Sequence, residues 1–297
     1  MGYLKSIYLL TVKTCAIRAF PVVSIITPAM KIFSLLVTIS IVSTFLLSGF
    51  RNAGTDTPIA NSHITLFFDN MAGTQDLRLE DANYTNSSGE SFSVSELQYF
   101  ISNIRLRKRS GTEYSIQQDS SYFLVQESEA STQRIQLKVP EGEYDRVSFV
   151  LGVDSVRNTM DISKRRGVLD PASSMDKGMY WGWNSGYIFL KIEGNSAAAP
   201  ADPIGRQKFR YHIGGFGGYS APTINNIKTI SLDLTNGTAK VDAGKKVKVH
   251  VKADILSIFD AGTRVSIAAH PSIMFSEYSV NIANNYSQMF SHLGTEN

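Results

Sequence analysis

The chain has 297 residues, of which 43% are hydrophobic and 19% are charged. This composition is typical of folded globular proteins and excludes a wholly disordered chain. The formal charge is +3, but the first fifty residues hold four basic side chains and no acidic one, and the rest of the chain holds 25 basic against 26 acidic side chains. The basic pI therefore reflects the N-terminal segment alone and gives no support for nucleic-acid binding.

The only cysteine, Cys15, also lies in this N-terminal segment. The rest of the chain therefore cannot contain a disulfide framework, a zinc ribbon or an iron–sulfur site. A metal site there would have to use histidine, carboxylate, amide or backbone donors, or a modified side chain.

Residues 32–50 form an uncharged and mostly apolar stretch of 19 positions that follows Met30 and Lys31. A basic residue before an apolar stretch is typical of a secretory signal. We therefore interpret residues 30–54 as a signal peptide or, since a stretch of this length can just span a bilayer, as an uncleaved membrane anchor. Residues 1–29 form an upstream extension, either an untranslated mis-start or an additional cytoplasmic tail. Both interpretations predict that the body lies in the periplasm or at the cell surface and contacts a membrane only through the N-terminal segment.

From residue 62 onward, apolar residues recur at every second position between Gly, Asn, Asp and Pro, which predicts β-strands. The clearest strand is 245–253, where valines alternate with lysines and a histidine. Asn236 and Gly237 separate two apolar runs and predict a two-residue hairpin turn. The predicted strands are 63–68, 97–107, 122–126, 134–139, 144–151, 186–192, 208–213, 227–234, 239–241 and 245–253.

Apolar residues after Pro271 have helical spacing and predict a short closing helix. The chain shows no internal repeat and no break in composition after the leader, so we expect one domain over residues 60–297. The predicted fold is all-β, an antiparallel β-sandwich or open barrel with a short C-terminal helix.

The sequence contains no motif that supports catalysis. The glycine-rich run 214–218 lacks the Lys-Ser/Thr of a phosphate-binding loop, and neither a nucleophile elbow nor an HExxH motif occurs. The short basic runs 105–109 and 164–166 are typical of protected sheet edges. We therefore expect neither enzymatic activity nor a nucleic-acid partner, and we assign no catalytic residue.

Two features remain as candidates for a site. His212 lies near the end of a predicted strand, where a lone histidine is more often structural than a ligand. His250 shares its strand face with lysines that would repel a metal cation, so we expect it to be exposed to solvent. Trp181 and Trp183, the two tryptophans of the chain, flank Gly182. In an extended segment both indoles would share one face, either as a core anchor or as an aromatic wall beside a site.

An ordered series of segments resembles the MbnP-like copper-binding domain, especially the versions found in Bacteroidetes-type bacteria. The W-x-W-N-x-G-Y segment upstream of Y-H-I-G-G is the most specific part, and the resemblance covers about residues 62–293. The segments that carry it are 97–106, 152–158, 169–171, 179–189, 211–215 and 282–290.

This resemblance implies an exported β-rich protein that binds copper through histidines and a tryptophan oxidised to kynurenine. It also implies a partner dihaem enzyme related to cytochrome c peroxidases, which carries out the oxidation. His212 with Trp181 or Trp183 matches the motifs, and His270 and His292 are further candidate ligands. Imidazole and amine nitrogens suit copper well.

The residues leave other functions open beside copper acquisition, storage or delivery. The main alternative is a metal-free exported interaction module that binds a partner protein or a glycan through the aromatic residues 180–187. A further alternative is that oxidation of tryptophan by a peroxidase is itself the function.

Overall fold

The computed structural model describes residues 62–184, 186–234 and 236–297. The predicted upstream extension 1–29 and signal or anchor 30–54, with Cys15, lie outside these residues. The first eight strands are β1 (His63–Ala72), β2 (Gln75–Asp76), β3 (Tyr84–Thr85), β4 (Ser91–Lys108), β5 (Glu113–Ser115), β6 (Tyr122–Gln126), β7 (Arg134–Lys138) and β8 (Gly142–Leu151). The next eight are β9 (Tyr180–Trp181), β10 (Gly186–Asn195), β11 (Lys208–Gly214), β12 (Lys228–Asp233), β13 (Ala239–Val241), β14 (Lys246–Asp254), β15 (Ser272–Ile273) and β16 (Phe290–Glu296).

Helices are short and lie between the strands. The α-helices are α1 (Ser155–Thr159), α2 (Pro171–Asp176) and α3 (Ser279–Tyr286), and the 3-10 helices are Gln118–Ser120, Ile162–Lys164, Gly167–Leu169 and Ile255–Ile258. The start of α2 follows from its sequence, because Asp170 accepts a hydrogen bond from the backbone N–H of Ala172 and Pro171 occupies the first helical position. Among the described residues, no helix combines the length and the apolar character needed to cross a membrane.

The strands form two sheets. The smaller sheet has the order β16-β14-β1-β2, with β7 also paired to β1, and the larger sheet has the order β12-β8-β4-β10-β11-β15 with five short strands paired beside this path. The 18-residue β4 is long enough to pair with β10 along its first half and with β8 along its second half. The sheet therefore branches at Phe100, where the N–H of Gly152 donates to the Phe100 carbonyl as β8 ends.

The main core fills the space between the two sheets. Inward side chains of β1 and β14 meet those of β4, β8 and β11 in one continuous cluster. Phe68 of the smaller sheet packs edge-on against Phe149 and Tyr99 of the larger one, with ring centroids 5.7 and 6.3 Å apart. This burial of aromatic and β-branched side chains is the main force that holds the two sheets together.

The predicted β-rich fold with a short helix near the C-terminus is confirmed. Two strand pairs are nevertheless parallel, β1 with β14 and β11 with β15. The alternation of apolar and polar residues within a strand shows which face is buried but not which strand lies next to it. The direction of pairing could therefore not be inferred from the sequence.

Two local predictions are wrong. The hairpin at Asn236 and Gly237 does not form, because β12 and β13 both pair with β8, at residues 146–151 and 142–144, instead of with each other. The segment after the closing helix is a strand, since β16 pairs antiparallel with β14. Phe290, which fits helical spacing with Ile282 and Tyr286, is the first residue of this strand.

The carboxylate of Glu90 ties the start of β4 to the loop that follows the 3-10 helix Ile255–Ile258. It accepts hydrogen bonds from Ser266 Oγ at 2.7 Å and from the backbone N–H groups of Ile267 and Ala268 at 2.7 and 3.0 Å. Asn86 Nδ2 donates to it at 2.7 Å. Partial burial raises the pKa of Glu90, but these hydrogen bonds outweigh burial and lower the pKa below its ordinary value of 4.5.

We expect Glu90→Gln to lower the free energy of unfolding at neutral pH by about 2–3 kcal/mol, because an amide nitrogen cannot accept the backbone hydrogen bonds. The folded-state pKa of Glu90 is lowered, so the stability that its charge contributes is present above the unfolded-state pKa and is lost as pH falls through the folded-state pKa. Urea unfolding of the wild type and of Glu90→Gln across this pH range measures the difference between their free energies of unfolding. The exposed Glu277→Gln is the control. A difference that does not narrow in acid would contradict this account.

Candidate metal and aromatic site

The larger sheet carries a second apolar cluster on the side opposite the main core. Along β4, Tyr99 and Ile101 face the core, whereas Phe100 faces this cluster with Tyr187 and Phe189. The segment 153–184, which connects β8 to β10, covers it and contributes Val153, Leu169, Met179, Tyr180 and Trp181. Gly152 begins the crossing with a positive φ of 119°, and a side chain there would lie 2.9 Å from the Phe189 ring.

The two tryptophans come together at the end of this covering segment. Their ring centroids are 5.4 Å apart with planes tilted by 42°, and Phe275 packs edge-on against both rings, at 6.1 and 6.5 Å. Trp181 is 6% exposed and Trp183 is 68% exposed. The pair does not arise from an extended strand, since the chain turns after Trp181 and the N–H of Asn184 donates to the Trp181 carbonyl at 3.3 Å.

Trp181 lies directly against the end of β11. A Cβ atom placed on Gly214 would fall 2.7 Å from Cζ3 of the Trp181 ring, so the absence of a side chain at this position lets the indole approach. His212 precedes Gly214 by two residues, and side chains two apart in a strand share one face. Phe209, Tyr211 and Ile213 occupy the other face, in the main core. Trp181 therefore covers position 214 on the same face of β11 that carries His212 two residues earlier.

His212 is held in place by a carboxylate. Its Nε2 lies 2.7 Å from Glu193 Oε1, and its side chain is 14% exposed. The hydrogen bond to His212 outweighs burial and lowers the pKa of Glu193, with Lys191 and Arg210 acting in the same direction. Because the carboxylate fixes the ring through Nε2, the other nitrogen, Nδ1, is the one that can bind a metal. Metal-bound histidines in proteins commonly have such a carboxylate partner.

The charges around His212 are balanced. Lys191 is 8% exposed, and its Nζ lies 2.8 Å from Glu96 and 3.8 Å from Glu193. Arg210 Nε lies 4.0 Å from Glu193. Two cations therefore face two carboxylates. This part of the sheet does not repel a metal cation in the way that a row of unpaired lysines would.

The other histidines do not lie at the tryptophan pair. The ring of His270 stacks on Tyr278 with centroids 3.7 Å apart, and Pro271 next to it accepts from the N–H of Arg210, towards the start of β11 and away from Gly214. His292 belongs to β16 of the smaller sheet. Its Nε2 lies 3.0 Å from Thr295 Oγ1, and its Nδ1 is buried without a hydrogen-bond partner.

Two histidines also lie on the smaller sheet, and one of them was expected to be exposed. His63 is the first residue of β1. The side chain of His250 is instead only 29% exposed, with Asp69 at 3.2 Å from Nδ1 and Glu296 at 2.9 Å from Nε2. Its ring stacks on Phe67. Both nitrogens therefore face carboxylates, and the lysine-rich strand face is largely neutralised by ion pairs.

Comparison with known proteins identifies the family of this chain. The model of the MbnP family matches residues 61–275. The chain belongs to the MbnP family. Among solved structures, MbnP from Methylosinus trichosporium matches with 16% sequence identity and a TM-score of 0.48, over 72% of this chain and 81% of that chain. No curated protein matches this chain.

In the part of this MbnP-family chain that the structure describes, the side-chain donors do not form a complete metal site. Among residues 62–184, 186–234 and 236–297, no group of three His, Cys, Asp or Glu side chains is placed to hold a metal ion. The imidazole of His212, hydrogen-bonded to Glu193, is a suitable copper ligand. A copper site here would need its other donors from groups other than His, Cys, Asp and Glu side chains. The candidates are a modified indole and a thioether.

The thioether is Met274, which the sequence analysis missed. Strand β15 pairs parallel with β11 in the register Arg210 to Ser272 and Tyr211 to Ile273. Strand β15 ends at Ile273, and the same register continued by one residue would place position 274 opposite His212. Ile273 is buried and Met274 is 37% exposed, so the two alternate across the sheet. A thioether next to an imidazole is a donor that suits monovalent copper. Only the strand pairing, which is not visible in the sequence, reveals this residue.

We expect Gly214→Ala to displace Trp181 and destabilise the MbnP-family fold by about 1–3 kcal/mol. The new Cβ would lie 2.7 Å from the indole and 2.4 Å from the Tyr187 carbonyl oxygen. Tryptophan fluorescence should shift as the rings move, and urea unfolding should show the loss. Gly294→Ala is the matched control, since a Cβ on that strand glycine meets no atom within 4 Å. Equal effects of the two substitutions would show that the approach of Trp181 does not depend on Gly214.

Proposed function

We propose that this protein is an exported copper-binding protein that acts in copper acquisition, storage or delivery and not as an enzyme. The observation that supports the proposal is that Glu193 holds His212 on the face of β11 that Trp181 covers two residues further along, at Gly214. Membership of the MbnP family supports it, together with the copper chemistry that the sequence resemblance implies. The N-terminal leader supports export.

The proposed ligands are His212 through Nδ1, a tryptophan oxidised to kynurenine, and Met274. When bound, copper would supply a redox-active cation that favours nitrogen and thioether donors. Glu193 orients the imidazole and keeps Nδ1 directed to the metal. The balanced charges of Lys191 and Arg210 with Glu96 and Glu193 leave the site open to a cation.

We propose Trp183 as the residue that is oxidised, because it is 68% exposed whereas Trp181 is 6% exposed. A dihaem enzyme related to cytochrome c peroxidases would supply the oxidising equivalents from peroxide. Cleavage of the indole C2–C3 bond with one oxygen added to each carbon is a four-electron oxidation, so two molecules of hydrogen peroxide would be reduced, giving two molecules of water. Hydrolysis of the formyl group then releases formate and leaves an aromatic amine. Trp181, 5.4 Å away, holds the ring of Trp183 in position.

We expect His212→Gln to lose most of the copper that purified wild-type protein holds after growth with copper, measured by elemental analysis. Glutamine can keep a hydrogen bond to Glu193 but offers no imidazole nitrogen. His270→Gln and His292→Gln are the matched controls, and both should retain copper. His270 lies near the start of β11, away from Gly214, and His292 lies in the other sheet. Retention by the His212 variant with loss in either control would overturn this ligand assignment.

We expect Trp183→Phe, but not Trp181→Phe, to abolish the mass change of kynurenine in the peptide that spans residues 177–191. The measurement is intact-mass analysis and peptide mapping of protein from the native host. The thermal stability of both variants serves as a control for folding, since Trp181 is buried and Trp183 is not. Modification that persists in Trp183→Phe would assign the oxidation to Trp181.

The metal-free interaction module remains the second candidate. It is favoured by exposed aromatic side chains, since Trp183 is 68% exposed and Tyr219, whose ring packs against Phe216 of the second apolar cluster, is 58% exposed. In this case the aromatic residues would bind a partner protein or a glycan directly. Wild-type protein that holds no copper from growth medium, and binds none when copper is added, would favour this function over the first.

A further inference from the structure

A cavity of about 580 Å³ lies next to the second apolar cluster, which contributes Leu169 and the adjacent Tyr122 and Val168 to its lining. Its walls combine cationic side chains with an apolar floor. Arg157, Lys164, Arg165 and Arg166 line it together with Tyr122 and Leu169. Its size is in the range of sites that bury a small organic molecule.

The cationic side chains of this cavity are mostly without carboxylate partners. Arg157 pairs with Asp119, whereas Lys164, Arg165 and Arg166 have no carboxylate within 4 Å among the described residues. Arg165 is only 3% exposed. Its Nη2 donates to the carbonyls of Asn158 and Met160 at 2.7 and 2.9 Å. The Arg165 guanidinium therefore keeps its charge without a carboxylate hydrogen bond, although Asp161 interacts electrostatically with both Arg165 and Lys164.

The structure itself places one carboxylate in the cavity. Asp119 stands on the short 3-10 helix Gln118–Ser120 with its side chain 78% exposed, and it accepts from Nη2 of Arg157. Arg157 Nε is buried and has no hydrogen-bond partner, so Asp119 satisfies the guanidinium through one nitrogen only. An exposed side chain on a short helix is an exchangeable partner. A ligand oxyanion could take its place at Arg157.

We propose that this cavity binds a small organic anion, with a carboxylate or phosphate group held by Arg157, Lys164 and Arg166 and an apolar body against Leu169 and Val168. Arg165 fixes the wall of the site through its carbonyl contacts and its position over the Tyr180 and Tyr187 rings, 5.9 and 5.5 Å from their centroids. Asp119 competes with the ligand for Arg157. This inference is independent of the copper proposal.

The test uses the anionic dye anilinonaphthalene sulfonate, whose fluorescence rises in apolar sites, with N-phenylnaphthylamine as the uncharged analogue. We expect the purified protein to bind the anion at one site and more tightly than the analogue, with an affinity that falls as salt increases. Lys164→Gln and Arg166→Gln should each weaken binding about 3-fold or more. The exposed Lys240→Gln, in β13, should leave it unchanged.

Asp119→Asn should tighten binding of the dye, because it removes the carboxylate that competes for Arg157. Decanoate and decyl phosphate then distinguish the two headgroups by displacement of the dye, and displacement by either supports the proposal. Displacement by decanol as effective as by the two anions would overturn it. So would an affinity that Lys164→Gln and Arg166→Gln leave unchanged, or that Lys240→Gln lowers equally.

Discussion

The outer face of the larger sheet is apolar where β4 branches, and this surface has to be covered. Phe100, Tyr187 and Phe189 lie there, all at or below 2% exposure, and each would place a large apolar area in water if uncovered. The segment 153–184 performs this function. Its course brings Trp181 to Gly214 at the end of β11 and the basic residues between 157 and 166 to the cavity beside Leu169. Both candidate sites are therefore consequences of one buried aromatic surface.

The need to cover this apolar surface also explains why polar site residues lie next to an apolar cluster. Beyond the cluster, the side chains on the same face of β10 and β11 are only partly covered. A polar side chain that is buried there must have a hydrogen-bond or ion-pair partner. Lys191, at 8% exposure, meets Glu96, and His212 meets Glu193. A histidine held this way has one nitrogen committed to the fold and the other left for chemistry.

The strands were predictable because their alternation is strong. β6 and β13 were predicted with the bounds observed, and β14 within one residue. The pairing of the strands was not predictable, because it depends on residues far apart in the sequence. Examples are the parallel β1–β14 pair and the pairing of β12 and β13 with successive parts of β8. For the same reason the sequence could group His212, His270 and His292 with the tryptophans only by resemblance to a family. It gave no sign that Glu193 holds His212 or that Met274 follows the strand beside it.

The two tryptophans illustrate how one covering segment can combine stability with reactivity. Trp181 is fixed by Gly214 below it and Phe275 beside it, whereas Trp183 lies on top of that platform and is open to solvent. A buried indole contributes to folding but is shielded from an outside oxidant, and an exposed indole contributes little to folding. Contact with the buried ring, whose centroid lies 5.4 Å away, restricts the position of the exposed ring without burying it. In the proposed copper site, a side chain restricted in this way would bind a metal with little loss of conformational freedom.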